Sequence, residues 1–228
     1  MSALLVVAAC APFARKPAPT PPQAPPTPGT APIAIAPGHY QIVSERSALT
    51  IRVYRAGALA NLGHNHVLTS NALTGTLDVA SDVLGSRASI ALDVASLAVD
   101  TPESRAAAGA DFTSVPTAND IDGTRRNLMG PKVLDAQAHP LLSVDVRLVS
   151  LAGNDATLEL SVHVAGHDAT SLAHASIAVR EGVVRVESQF DVAQTALGMT
   201  AFSAAGGALK VADTIQVAVV IEAQIVER

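Results

Sequence analysis

A chain of 228 residues with a formal net charge of −5 is long enough for one domain plus a tail, or for two small domains. Its acidic balance excludes nucleic acid as the main partner, because phosphate contacts need a basic surface. Apolar residues make up 49% of the chain but aromatics only 3%, with no Trp, which argues against the aromatic girdles of a transmembrane β-barrel.

The chain opens on a short apolar stretch, Ala3 to Ala9, that ends in Val7-Ala8-Ala9-Cys10. Small residues before a cleavage point mark a processed signal, and this pattern resembles the bacterial lipobox. Residues 1–10 are therefore expected to be a lipoprotein-type signal segment. Cys10, the chain's single cysteine, would be acylated and would hold the protein to a membrane of the bacterial envelope. Met1 and Ser2 bring no Lys or Arg, which points to a translation start further upstream. Residues 11–37 read as a spacer: Pro17-Ala18-Pro19-Thr20-Pro21-Pro22 favours extended polyproline II and builds no core. Fully extended, such a stalk reaches roughly 80 Å at about 3.1 Å per residue.

From residue 38 to 228 the dominant signal is alternation with period two. Leu49, Ile51 and Val53 alternate with polar positions, as do Leu77 and Val79, then Ile90, Leu92 and Val94. The same holds for Val144 to Leu148, Leu158 to Val164, Val184 to Val192 and Ile215 to Ile221. Turn signals separate these runs at Leu84-Gly85-Ser86, Ala152-Gly153-Asn154-Asp155 and Arg180-Glu181-Gly182. The expectation is an all-β protein of about eight antiparallel strands, a sandwich or a barrel. One stretch breaks the pattern. Thr101-Pro102-Glu103 has the form of a helix start, and residues 122–134 contain a second helical element ending near Gly130-Pro131. This insertion is placed to cap one mouth of a barrel.

Gly63-His64-Asn65-His66 is the most chemically suggestive tetrapeptide. In an extended segment His64 and His66 point the same way, which suits two imidazole ligands on Zn or Cu, with His163, His167 or His174 as a third. The competing reading gives them backbone hydrogen bonds or a ligand head group to meet. His39 and His139 read as surface or turn residues. Nucleophilic catalysis finds no Gly-x-Ser-x-Gly elbow, and carboxylates are spread singly over polar strand positions, so the chain reads as a binding protein rather than an enzyme.

Several elements, taken in order, resemble the YceI-like family of bacterial polyisoprenoid-binding, lipocalin-like proteins. They are Tyr40-Gln41-Ile42, Leu73-Thr74-Gly75-Thr76-Leu77-Asp78, Asn127 to Asp135 with His139-Pro140, Thr195 to Met199, Phe202-Ser203 and Gly206 to Val211. The Gly-His-x-His element resembles one found in a subset of that family. The chain departs from the pattern where Ala165 stands in place of a His before Gly166, so no role of that His carries over. The resemblance implies a lipocalin-like barrel that binds, transports or stores an isoprenoid-type lipid in the periplasm or cell envelope. Candidate lipid-binding side chains are Leu128, Phe112, Phe190, Leu197 and Phe202, with His64 and His66 for a head group or metal. An aliphatic interior with few aromatics leaves room for a guest, whereas a barrel filled by its own side chains would be an interaction module.

Overall fold

A computed structural model describes residues 33–226; the expected signal segment with Cys10 and the part of the expected spacer before residue 33 lie outside the described residues. Three pairs of strands come first: β1 (Gly38–Ile42) and β2 (Ala48–Ala56), β3 (His66–Ser70) and β4 (Thr74–Val79), β5 (Arg87–Asp93) and β6 (Ala98–Val99). Each pair is one stave of the sheet, interrupted by a short turn. Five longer staves follow the insertion or close the chain: β7 (Leu141–Ala152), β8 (Asp155–Val164), β9 (His167–Arg180), β10 (Val183–Ala193) and β12 (Leu209–Ile225), with β11 (Ser203–Ala204) a short addition on β12. The neighbour order β1-β4-β5-β7-β8-β9-β10-β12, closed by pairing of β1 with β12, makes an antiparallel eight-stave barrel. The alternation dictates this: Leu158, Leu160, Val162 and Val164 face one enclosed interior while Glu159 and His163 stand outside.

β12 joins the two ends of the sheet. One edge pairs with β10 from Thr214 to Gln224; the other pairs with β2 up to Val220 and with β1 from Ala223. Between these registers the ladder is interrupted, and Ser47 repairs it. Its buried hydroxyl donates to Val43 O (2.9 Å) and accepts from Glu222 N (3.1 Å).

β9 was invisible to the alternation. Its interior positions are Ser171, Ala173, Ala175 and Ile177, while Leu172 faces solvent at 63% exposure. A wall of small side chains carries little hydropathy contrast. Val94, counted with the strand before it, is instead buried in a 3-10 turn that lets β5 leave its neighbour. The insertion holds α1 (Pro102–Ala108), capped by Thr101 as expected, and α2 (Ala118–Met129). α2 starts four residues ahead of the expected 122, because Thr117 and Asp120 form a reciprocal capping box.

The hairpin register places Ala152–Asp155, Glu181–Gly182 and the start of β1 at one end of the barrel. Ile33 and Ile35 pack against the core there, so the end of the stretch 11–37 that reads as spacer joins the barrel. The other end carries the insertion, the connection 57–65 and the β8–β9 hairpin. That hairpin turns on Ala165 and Gly166, with φ of 51° and 77°, the arrangement of a type I′ turn. Ala165 thus carries a Cβ in the left-handed region. Gly75 answers a different need: a Cβ there would lie 2.0 Å from Ser89 O, where β4 presses on β5.

Two substitutions check this reading by urea or thermal unfolding. Ala165→Asn, which tolerates left-handed backbone, is expected to stabilise by about 1 kcal/mol. Gly75→Ala is expected to destabilise by roughly 3 kcal/mol or more, since backbone must move.

Candidate functional site

The staves enclose a cavity of about 410 Å3. Its walls are aliphatic almost throughout, from Leu49, Ile51 and Val53 on β2 round to Val217 and Val219 on β12. The room exists because β9 contributes Ser171 and Ala173, and β10 contributes Ser188, where larger residues would meet across the interior. α2 and the turn after it close over the insertion end, with Thr124, Asn127, Leu128 and Leu134 lining the cavity. Ile35 reaches it from the opposite end.

Of the five apolar candidates, Leu128, Phe190, Leu197 and Phe202 line this volume. Phe112 does not. Its ring is buried under the insertion, 5.6 Å from Tyr54 between centroids and 6.0 Å from the Arg105 guanidinium carbon. A single Phe in a short turn is drawn to the nearest apolar floor, and that floor is outside the barrel.

The two histidines separate. His66 begins β3, opposite Val53 and one alternation from Leu68, and lines the cavity. His64 precedes the strand and does not line it. It sits 3.4 Å from Ser114 Oγ and 3.8 Å from Asp120 Oδ2. The turn is held by Asn65, which accepts from Arg55 N and donates to Asp111 O. The rings of His64 and His66 stay 6.4 Å apart, yet no third ligand joins them. Among the described residues no group of three or more His, Cys, Asp or Glu is arranged to hold a metal ion. His163 pairs with Asp168 on the outer face, and His167 lies over Gly198. His174 is exposed on β9. His39 pairs with Asp78 at the surface, and His139 rests beside Gly166.

His66 instead belongs to a buried triad that sequence reasoning missed. Its Nδ1 lies 2.6 Å from Asp100 Oδ2, and the other Asp100 oxygen accepts from Arg105 Nη1 at 2.6 Å and from Val67 N at 2.9 Å. The Asp100 side chain has no solvent exposure and Arg105 has 9%. Arg105 Nη1 and Nη2 also reach Asn65 O, Phe112 O and Ser114 O, tying the insertion to the barrel rim, while Nε stays buried without a partner. Burial by itself raises the Asp100 carboxyl. The hydrogen bonds from His66, Val67 and Arg105, with the attraction of His66, outweigh it and hold the group below its usual value. Asp100 also adopts φ of 52°, a left-handed conformation tolerated by Asp, directly before the helix cap. The one sequence signal was a lone Arg in an alanine-rich helix; its partner could not be read from spacing.

Comparison of the sequence with family models and with curated proteins found no match. The fold, however, is shared with solved structures. BcnA of Burkholderia cenocepacia superposes with a TM-score of 0.56 at 12% identity, over 79% of this chain and 98% of that one. A polyisoprenoid binding domain from Saccharophagus degradans, implicated in plant cell wall breakdown, gives 0.51 at 11% identity, over 82% and 98%. The YceI protein of Campylobacter jejuni gives 0.48 at 11% identity, over 68% and 82%. This chain thus shares the closed antiparallel barrel fold of BcnA and of the polyisoprenoid binding domain.

Removing the Asp100 charge strands Arg105 in the interior, so Asp100→Asn is expected to cost about 3–5 kcal/mol. Because the folded carboxyl is depressed, its contribution is present above the unfolded carboxylate pKa and is lost as pH falls through the folded value. Unfolding curves collected from neutral to acid pH should show that loss in the native protein and its absence in Asp100→Asn.

Proposed function

We propose that this protein binds an apolar isoprenoid-type lipid inside its barrel and carries or stores it in the bacterial cell envelope, tethered through Cys10. One observation supports this above all: an aliphatic cavity of about 410 Å3 that the protein's own side chains leave unfilled. The volume lies within the roughly 300–1,000 Å3 of small-molecule sites. Water gains little there, because a buried water needs two or more polar partners and the walls offer few. An empty, dry volume is costly. Left without a guest, these aliphatic walls forfeit dispersion contacts on their inner side.

A flexible hydrocarbon relieves that cost with dispersion contacts and needs no directional partners, which agrees with the lack of a compact catalytic motif. The shared fold with a domain named for polyisoprenoid binding supports the same ligand class. Binding rather than catalysis is the activity this interior serves. A lipid-anchored barrel on a proline-rich stalk would reach lipid in the membrane that holds it.

Solvent extraction of protein purified from a bacterial envelope, followed by mass spectrometry, should release a prenyl lipid, and the apoprotein should rebind an octaprenyl lipid. Ala173→Phe places a ring in the space opposite the large-residue walls. It is expected to weaken that binding at least tenfold while the cooperative unfolding transition persists. Clean apoprotein that takes up no prenyl lipid would reject the reading.

A further inference from the structure

The triad fixes which way the His66 imidazole can use its second nitrogen. A carboxylate accepts hydrogen bonds only, so in the neutral imidazole the proton must sit on Nδ1, facing Asp100. Nε2 then carries a lone pair and no hydrogen. Arg105 balances the Asp100 charge, so this form leaves the triad without net charge beside an aliphatic volume. His66 lines the cavity from the interior face of β3, opposite Val53, with its Nδ1 side taken by Asp100. Thr124 and Asn127 of α2 line the same end.

Arg105 and Asp100 fasten the insertion to the barrel rim, but that role does not call for a histidine on the cavity wall. An ion pair with a fully desolvated carboxylate gains little over an apolar replacement, and Asp100 also bears a left-handed backbone. What the arrangement does supply is an oriented acceptor at the capped end of a hydrocarbon cavity, because the carboxylate sets both the tautomer and the ring angle. A guest that is all hydrocarbon would leave that acceptor without a partner.

We infer that His66 Nε2 accepts a hydrogen bond from a hydroxyl on the lipid head. The ligand class is then a prenylated phenol, hydroquinone or alcohol, selected over the matching quinone, whose carbonyls only accept. The inference rests on the lipid-binding reading and narrows it. A quinone head would set its oxygen lone pairs against the Nε2 lone pair, while the reduced head presents an O–H. The protein would therefore distinguish the two redox states of one molecule without reacting with it.

The test uses three probes with the same triprenyl chain: the hydroquinone, its quinone and the headless hydrocarbon. Affinities are measured anaerobically on the whole domain at neutral pH. The hydroquinone is expected to bind about tenfold more tightly than the quinone, the size of one net hydrogen bond. That ratio corresponds to an upward shift of about 30 mV in the two-electron midpoint potential of the bound couple. His66→Leu should bring hydroquinone affinity down to that of the quinone. His66→Gln, which keeps an oxygen acceptor, should restore part of the preference. Equal affinity for the two redox states, with the hydrocarbon still bound, would overturn the head-group inference alone, as would a preference that survives in His66→Leu. Failure to bind any of the three would overturn the lipid-binding reading beneath it.

Discussion

Closure of the ladder along β12 is the constraint on which the rest of the molecule depends. That strand holds β10 along one edge and, in turn, β2 and β1 along the other. Once it does so, each inward residue of every stave faces the same volume, although β9 from His167 to His174 and β10 from Gln189 to Ala193 do not pair with each other. The join is not seamless. The ladder changes partner between Val220 and Ala223, and the Ser47 hydroxyl takes the amide of Glu222 that would otherwise be buried unpaired. The enclosed cavity follows from this closure, since the same aliphatic residues on an open sheet would pack against a second layer.

The size of the cavity is set by asymmetry around the ring. β8 and β12 send Leu, Val and Ile inward, whereas β9 sends Ser171 and Ala173. The barrel circumference is fixed by strand number and stagger, so it cannot shrink to follow smaller side chains on one wall. Volume is left over on that side. Phe190, Phe202, Leu197 and Leu128 then trim its outline rather than fill it.

At the insertion end, apolar and polar demands meet in one place. α1 and the segment after it are anchored by Arg105, which reaches carbonyls of Asn65, Phe112 and Ser114 as well as Asp100. The same guanidinium thus fastens the cap and balances the carboxylate that orients His66. Position of the cap and chemistry of the cavity wall are coupled through a single side chain, and a change that loosens one alters the other.

The sequence by itself determined the class of fold, the staves with strong alternation, the helical break and the aliphatic character of the interior. Those properties are local: period two, a Thr-Pro helix start and glycine-bearing turns act over a few residues. It did not reveal β9, whose inward side chains are too small to contrast with their neighbours. Nor did it reveal why His66 and His64 differ, although both stand in one tetrapeptide. That difference is made by Asp100, 34 residues further on, and by Arg105 on α1. Only closure of the barrel and docking of the insertion bring those groups together. A contact between distant residues is fixed by the geometry of the whole ladder, and no spacing along the chain encodes it.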